Sequence, residues 1–134
     1  MKTAVIYWSG TGNTEAMAKA VAEGANAELF EVSEFSGNIA DYDAIAFGCP
    51  AMGAEVLEED TFEPFFTNIE GSLSGKKVLL FGSYGWGDGE WMRSWEKDCG
   101  DAGINLVCES VICCDAPDEQ ILESCRAVGK KLAQ

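Results

Sequence analysis

Short apolar runs recur along the chain, separated by stretches with helical spacing. Lys2–Trp8, Asp43–Cys49 and Val78–Ser83 are nearly continuous in apolar, β-branched or aromatic residues, the pattern of parallel strands buried on both faces. Ala27–Val32 alternates instead, which predicts an edge strand with one wetter face. Ile104–Cys114 reads as a single last strand. Between them, Glu15–Glu23 is rich in helix formers, and Phe62-Glu63-Pro64-Phe65-Phe66 opens a helix that tolerates Pro64 in its first turn. Glu90–Ala102 predicts a helix capped by Asp88, with Trp91 and Trp95 on one core-facing side. Pro117 opens a final helix whose apolar stripe is Ile121, Cys125, Val128 and Leu132, with Lys130 and Lys131 near its end. Residues 35–41 lack a helical pattern, so the crossover there should be short or irregular. Strands alternating with helices across short loops predict an α/β fold: a doubly wound, five-stranded parallel sheet with helices on both faces, one domain spanning residues 1–134.

The first strand runs directly into Ser9-Gly10-Thr11-Gly12-Asn13-Thr14 and then a helix. The first N–H groups of a helix lack partners and carry partial positive charge, so a turn there suits an anion. Gly10 and Gly12 permit close backbone approach, while Ser9, Thr11, Asn13 and Thr14 add side-chain donors. An ordinary strand-to-helix turn would need only one cap, at Asn13 or Ser9; four donors and two glycines exceed that requirement. The Gly-Lys-Ser/Thr ending of a nucleoside-triphosphate loop is absent, and Glu15 stands where a dinucleotide fingerprint needs its third glycine. With this loop after the first strand, the strand order is expected to be 2-1-3-4-5, which gathers residues 9–14, 50–55 and 83–89 at one end of the sheet.

Charge narrows the partners. The 134 residues carry a formal net charge of -14 and no histidine, which disfavours nucleic acid and anionic membranes and favours a basic protein partner. Twelve acids and no base lie between Lys19 and Lys76, a one-signed block suited to steering. The absence of a signal-type or long apolar segment predicts a soluble, cytoplasmic protein with no membrane partner; a monomer is expected. The six cysteines show no C-x2-C pairing, which favours buried reduced thiols and no metal site.

The hexapeptide suits one phosphate held without a basic side chain. The other two loops supply Met52 and Trp86, a thioether and an indole able to flank a flat ring, amid Gly53, Gly85, Gly87 and Gly89. One phosphate and one flat heteroaromatic ring describe FMN better than ATP or NAD. On these residues the chain resembles the short-chain flavodoxins of anaerobic bacteria. Ser9–Thr14 is similar to their phosphate motif, Ala51-Met52-Gly53 with Glu55-Val56-Leu57-Glu58 to their flavin-switch loop, and Phe81–Gly89 to their second ring-flanking loop.

That resemblance implies a flavodoxin-like fold and an FMN site made of Ser9, Gly10, Thr11, Gly12, Asn13, Thr14, Ala51, Met52, Gly53, Ala54, Glu55, Ser83, Tyr84, Gly85, Trp86, Gly87 and Asp88. It implies that Met52 covers the inner ring face, Trp86 the outer one, and Glu55 accepts from flavin N3–H. N–H groups near Gly85–Gly87 would approach O2, and the Gly53 carbonyl would turn toward N5–H in the neutral semiquinone. Pro50 and Ala54 stand where some relatives carry polar side chains. The implied function is low-potential one-electron transfer on the semiquinone/hydroquinone couple, without substrate turnover. A carboxylate about 12 Å from the ring at an effective dielectric of about 20 contributes about 1.4 kcal/mol, or about 60 mV in a one-electron couple. Two rivals make different demands. A flavin-dependent quinone reductase on the same fold needs a substrate pocket over the ring, where Trp86 is expected. A receiver-type regulator needs acids at the strand ends, and the strand before Trp8 ends without them.

Overall fold

A computed structural model describes residues 2–53 and 55–134. Six parallel strands form the sheet: β1 (Thr3–Tyr7), β2 (Glu28–Glu31), β3 (Ala44–Gly48), β4 (Lys77–Tyr84), β5 (Asn105–Leu106) and β6 (Val111–Cys114). The order is β2-β1-β3-β4-β5, with β6 also pairing β4. The expected order therefore holds, but the expected single last strand is two. Leu106 pairs with Val78 and Val111 with Phe81, so β4 advances three residues while its neighbour advances five. Residues 107–110 bow out to absorb the difference, as in a large bulge. Apolar periodicity does not register such a slip, because Val107 and Cys108 are as apolar as their neighbours.

Four helices cover the sheet: α1 (Asn13–Ala25), α2 (Phe62–Ile69), α3 (Glu90–Asp101) and α4 (Glu119–Leu132). Successive residues of the central strands point to opposite faces, and two cores result. Val5, Ala46, Leu79 and Phe81 meet Met17, Val21, Cys125 and Leu132 of α1 and α4. Ile6, Ile45, Phe47 and Leu80 meet Phe62, Phe66, Trp91 and Trp95 of α2 and α3. The expected core role of Trp91 and Trp95 is what the structure has. Between β2 and β3, two 3-10 turns, Val32–Glu34 and Ile39–Asp41, replace a crossover helix. The edge strand β2 departs from a dry-in, wet-out alternation, since Leu29 packs against one core and Phe30 against the other.

Glycine sets the helix pairing on the first face. A Cβ at Gly24 would overlap the Arg126 carbonyl, and one at Gly129 would overlap the Val21 carbonyl. α1 and α4 thus meet backbone to backbone. On the other face Glu58, 6% exposed, accepts from the N–H groups of Asp60, Thr61 and Phe62 at 2.9, 2.9 and 2.7 Å. It satisfies the start of α2, whose N-cap residue Thr61 makes no side-chain cap bond.

Candidate functional site

β1 leads into β2 on one side and β3 leads into β4 on the other, so the connections diverge between β1 and β3. Crevices open beyond the carboxyl ends of strands at such a point. Here a cavity of about 240 Å3 is lined by residues at or just beyond the carboxyl ends of β1, β3, β4 and β6. From the first loop come Trp8, Ser9, Gly10, Thr11, Asn13 and Thr14; from the second and third, Pro50, Ala51, Met52, Ser83, Tyr84 and Gly85; and after β6, Asp115.

The first loop is built to leave donors free. Gly12 has φ 97°, closed to most L residues, and its carbonyl accepts from Ala16 N–H at 3.0 Å. Gly12 is thus the N-cap of α1, in place of Asn13 or Ser9. Ser9 braces the turn by another route: its Oγ accepts from Gly12 N–H at 3.1 Å and Glu15 N–H at 3.2 Å. Those bonds use both lone pairs and leave the hydroxyl proton for a ligand. A Cβ at Gly10 would sit 3.1 Å from the Trp8 ring, so glycine permits this close approach. The N–H groups of Gly10, Thr11, Asn13 and Thr14 have no acceptor among the described residues. Thr14 is tied back to the sheet, its hydroxyl 2.8 Å from that of Ser83 and accepting from Ser83 N–H at 3.3 Å. Glu15, the acid in the first turn, accepts from the Tyr7 hydroxyl at 3.2 Å. Burial, then the Glu15 charge, pushes that phenol up to about 12.

The second loop is a tight hairpin. Met52 and Val56 exchange backbone hydrogen bonds at 2.9 and 3.2 Å, with Gly53 at φ 36° and Glu55 at φ 57°. Met52 is half-buried and faces the cavity; Ala54 lies outside the described residues. At the start of this loop, Ala51 N–H donates to the Ser83 carbonyl at 3.0 Å, and the Trp91 indole N–H donates to the Cys49 carbonyl at 3.1 Å. Burial pushes the Cys49 thiol up to about 12. Gly85, Trp86 and Gly87 have backbone N–H groups with no acceptor among the described residues.

The cavity brings together Ser9, Gly10, Thr11, Asn13, Thr14, Ala51, Met52, Ser83, Tyr84 and Gly85 of the expected set. Gly12, Gly53, Glu55, Trp86, Gly87 and Asp88 do not line it. Trp86 is 63% exposed on the rim. Glu55 Oε1 accepts from Glu90 N–H at 3.2 Å and thereby joins the hairpin to the start of α3. Asp88 does not cap α3; Gly89 is the N-cap, at φ 95°, and Asp88 pairs with Arg93 at 2.9 Å. Trp8 and Asp115 were not among the expected residues. Trp8 reads as strand core, whereas Asp115 was discoverable from the topology, since the residue after the last strand must join this mouth. Asp115 has φ 61°, donates its N–H to the Tyr84 carbonyl at 2.7 Å, and brings its carboxylate beside Gly85.

A doubly wound α/β sheet with an anion-binding turn after β1 and an apolar-walled cleft at its switch point defines a phosphoryl-ligand binding protein of the nucleotide or flavin type. Comparison with known proteins makes this specific. The flavodoxin family profile matches residues 5–129. A flavodoxin from Megasphaera elsdenii is 43% identical over 97% of each chain, and one from Clostridium beijerinckii 45% identical over 96% of this chain and 97% of its own. The solution structure of two-electron reduced Megasphaera elsdenii flavodoxin superposes with a TM-score of 0.87 over 98% of each chain at 41% identity. The chain belongs to the flavodoxin family, which binds FMN, and these close relatives are flavodoxins, electron-transfer proteins rather than enzymes. In flavodoxin itself, FMN sits at the switch point between the first and third strands. Among the described residues no helix is long and apolar enough to cross a membrane, and no acid, cysteine and histidine group could hold a metal.

Proposed function

We propose that this chain is a low-potential one-electron carrier that holds FMN across the three loops and passes electrons between redox proteins. One observation carries the reading: four unpartnered N–H groups and a spare Ser9 proton face a cavity lined by no lysine or arginine. Such a cradle fits one phosphate, because dipoles alone would neutralise a polyphosphate poorly in a chain of net charge -14.

Residues then take roles by position. Gly10–Thr14 with Ser9 hold the phosphate, and Met52 covers the inner face of the ring. Trp86, exposed beside Gly85 and Gly87, covers the outer face, and the N–H groups of Gly85–Gly87 meet the pyrimidine edge. Gly53, already at positive φ, lets its peptide turn without a Cβ penalty, so its carbonyl can accept a proton-bearing nitrogen. Glu55 accepts from the ring if it exchanges its bond to Glu90 for one to the ligand, and Gly12, Ala51, Ala54, Ser83, Tyr84 and Asp88 complete the frame. Bound FMN supplies the redox chemistry; the protein supplies grip, stacking and electrostatics. Acids around the mouth make a second negative charge there costly, which holds the lower of the two potentials down. Redox titration of the FMN-loaded protein at two ionic strengths tests this. The lower potential is expected to rise with salt; a salt-independent value contradicts the electrostatic part. A monomer in the cytoplasm, docking to basic redox partners, completes the proposal.

A further inference from the structure

Glu15 puts a carboxylate in the first turn of α1, beside a loop built to hold an anion. Its own N–H already donates to Ser9 Oγ at 3.2 Å. A glutamate at the third position of a helix ordinarily reaches back to the N–H of the N-cap residue, and the positive end of the helix dipole draws it that way. Here that destination is taken, because Gly12 N–H donates to Ser9 Oγ. The Glu15 carboxylate turns the other way and accepts from the Tyr7 hydroxyl at 3.2 Å.

Little else keeps it there. Tyr7 ends β1 beside Glu31 of β2, and the negative charges of Glu31 and Glu34 both act on the phenol. A further carboxylate at that spot therefore stands among like charges. Lys19 Nζ lies 3.9 Å from Glu15, but the lysine side chain is 66% exposed, so water and salt weaken the pair. Tyr7, by contrast, is buried, and its phenol keeps its proton, pushed up to about 12. One buried O–H thus decides on which side of the turn the Glu15 charge lies.

We propose that Tyr7 is a positioning residue for phosphate binding: its hydroxyl holds the Glu15 carboxylate against the sheet and off the amino end of α1, which leaves the N–H groups of Asn13 and Thr14 to the ligand. This rests on the reading of residues 9–14 as the phosphate cradle. Without the hydroxyl, the carboxylate turns back along the helix, competes for those donors and repels a dianion. The effect is confined to the phosphate, since neither Tyr7 nor Glu15 lines the cavity.

The test is a double-mutant cycle on the apoprotein, titrated with FMN and with riboflavin. Tyr7→Phe is expected to weaken FMN binding about five- to twentyfold and riboflavin binding less than about twofold. In the Glu15→Gln background the same change should cost FMN less than about twofold, because a neutral amide does not repel phosphate. Losses equal for the two ligands, or undiminished by Glu15→Gln, would make the phenol a prop of the fold alone and overturn the proposal. FMN affinity unchanged by Tyr7→Phe would overturn it too. A parent that binds riboflavin as tightly as FMN would instead defeat the phosphate reading on which the proposal stands. A second readout needs no flavin. In amide spectra of the apoprotein, Tyr7→Phe should move the Asn13 and Thr14 resonances downfield as the carboxylate arrives, and adding Glu15→Gln should return them; resonances that stay in place overturn the proposal.

Discussion

Ser9→Ala isolates the phosphate cradle better than any other single change. Ser9 Oγ accepts from Gly12 and Glu15 N–H at 3.1 and 3.2 Å, so its proton is the one part of the hydroxyl left for a ligand. Losing a hydrogen bond to a charged acceptor costs about 1.5–3 kcal/mol, which is about 10- to 150-fold in Kd. The same change removes cap-type support from two N–H groups, worth about 1 kcal/mol of apoprotein stability. Titrating apoprotein with FMN and with riboflavin, which lacks only the phosphate, separates the two effects. FMN affinity is expected to fall within the range above, while riboflavin affinity changes by less than about threefold. Equal losses for both ligands would refute the reasoning, because Ser9 would then act through the loop or ring rather than the phosphate. Thr14→Val is a useful contrast. Its hydroxyl is already committed to Ser83, so stability should suffer as well as FMN affinity, and riboflavin binding should weaken with it.

Gly129→Ala and Gly100→Ala should move stability in opposite directions. A Cβ at 129 overlaps the Val21 carbonyl of α1, whereas at 100 nothing lies within 4 Å. Urea unfolding should show a loss of about 1–3 kcal/mol for the first and a gain of up to about 1 kcal/mol for the second; equal midpoints would contradict the backbone-to-backbone packing. Glu58→Gln removes the charge from a buried carboxylate that accepts three N–H groups, and should cost about 1–3 kcal/mol in the same assay. An unchanged midpoint would show that the start of α2 finds other acceptors. Burial pushes the Cys49, Cys99 and Cys125 thiols from 9.0 up to about 12. Their contribution to stability is full below pH 9 and is lost as pH rises toward 12, because the unfolded thiols ionise first. Unfolding under reducing conditions should show a loss of about 1.4 kcal/mol per thiol at pH 10 relative to pH 7, and a flat profile would count against it.

What the residues disclosed depended on range. The hexapeptide was legible because its chemistry is local: glycines and hydroxyls between an apolar strand and a helix define the turn without reference to the rest of the chain. The two cores were legible because the continuous apolar runs of β1, β3 and β4 leave no wet face. Register was not. The division of the last strand depends on a two-residue mismatch between β4 and its neighbours, which only pairing reveals. Glu58 looked like one more acid in an acidic block, yet its distance from Phe62 makes it a buried cap. The expectation for Glu55 is a bond to the flavin ring; the link its carboxylate makes between two loops, through Glu90 N–H, was not legible in the sequence. Asp115 was missed because its role comes from strand order, not from its own surroundings in the chain.

Amide spectra of the apoprotein before and after one equivalent of FMN test the central claim most directly. The N–H resonances of Gly10, Thr11, Asn13 and Thr14, unpartnered without ligand, should move strongly downfield with FMN and stay near their original positions with riboflavin. If FMN binds and those four remain where they were, the phosphate lies elsewhere and the account is contradicted.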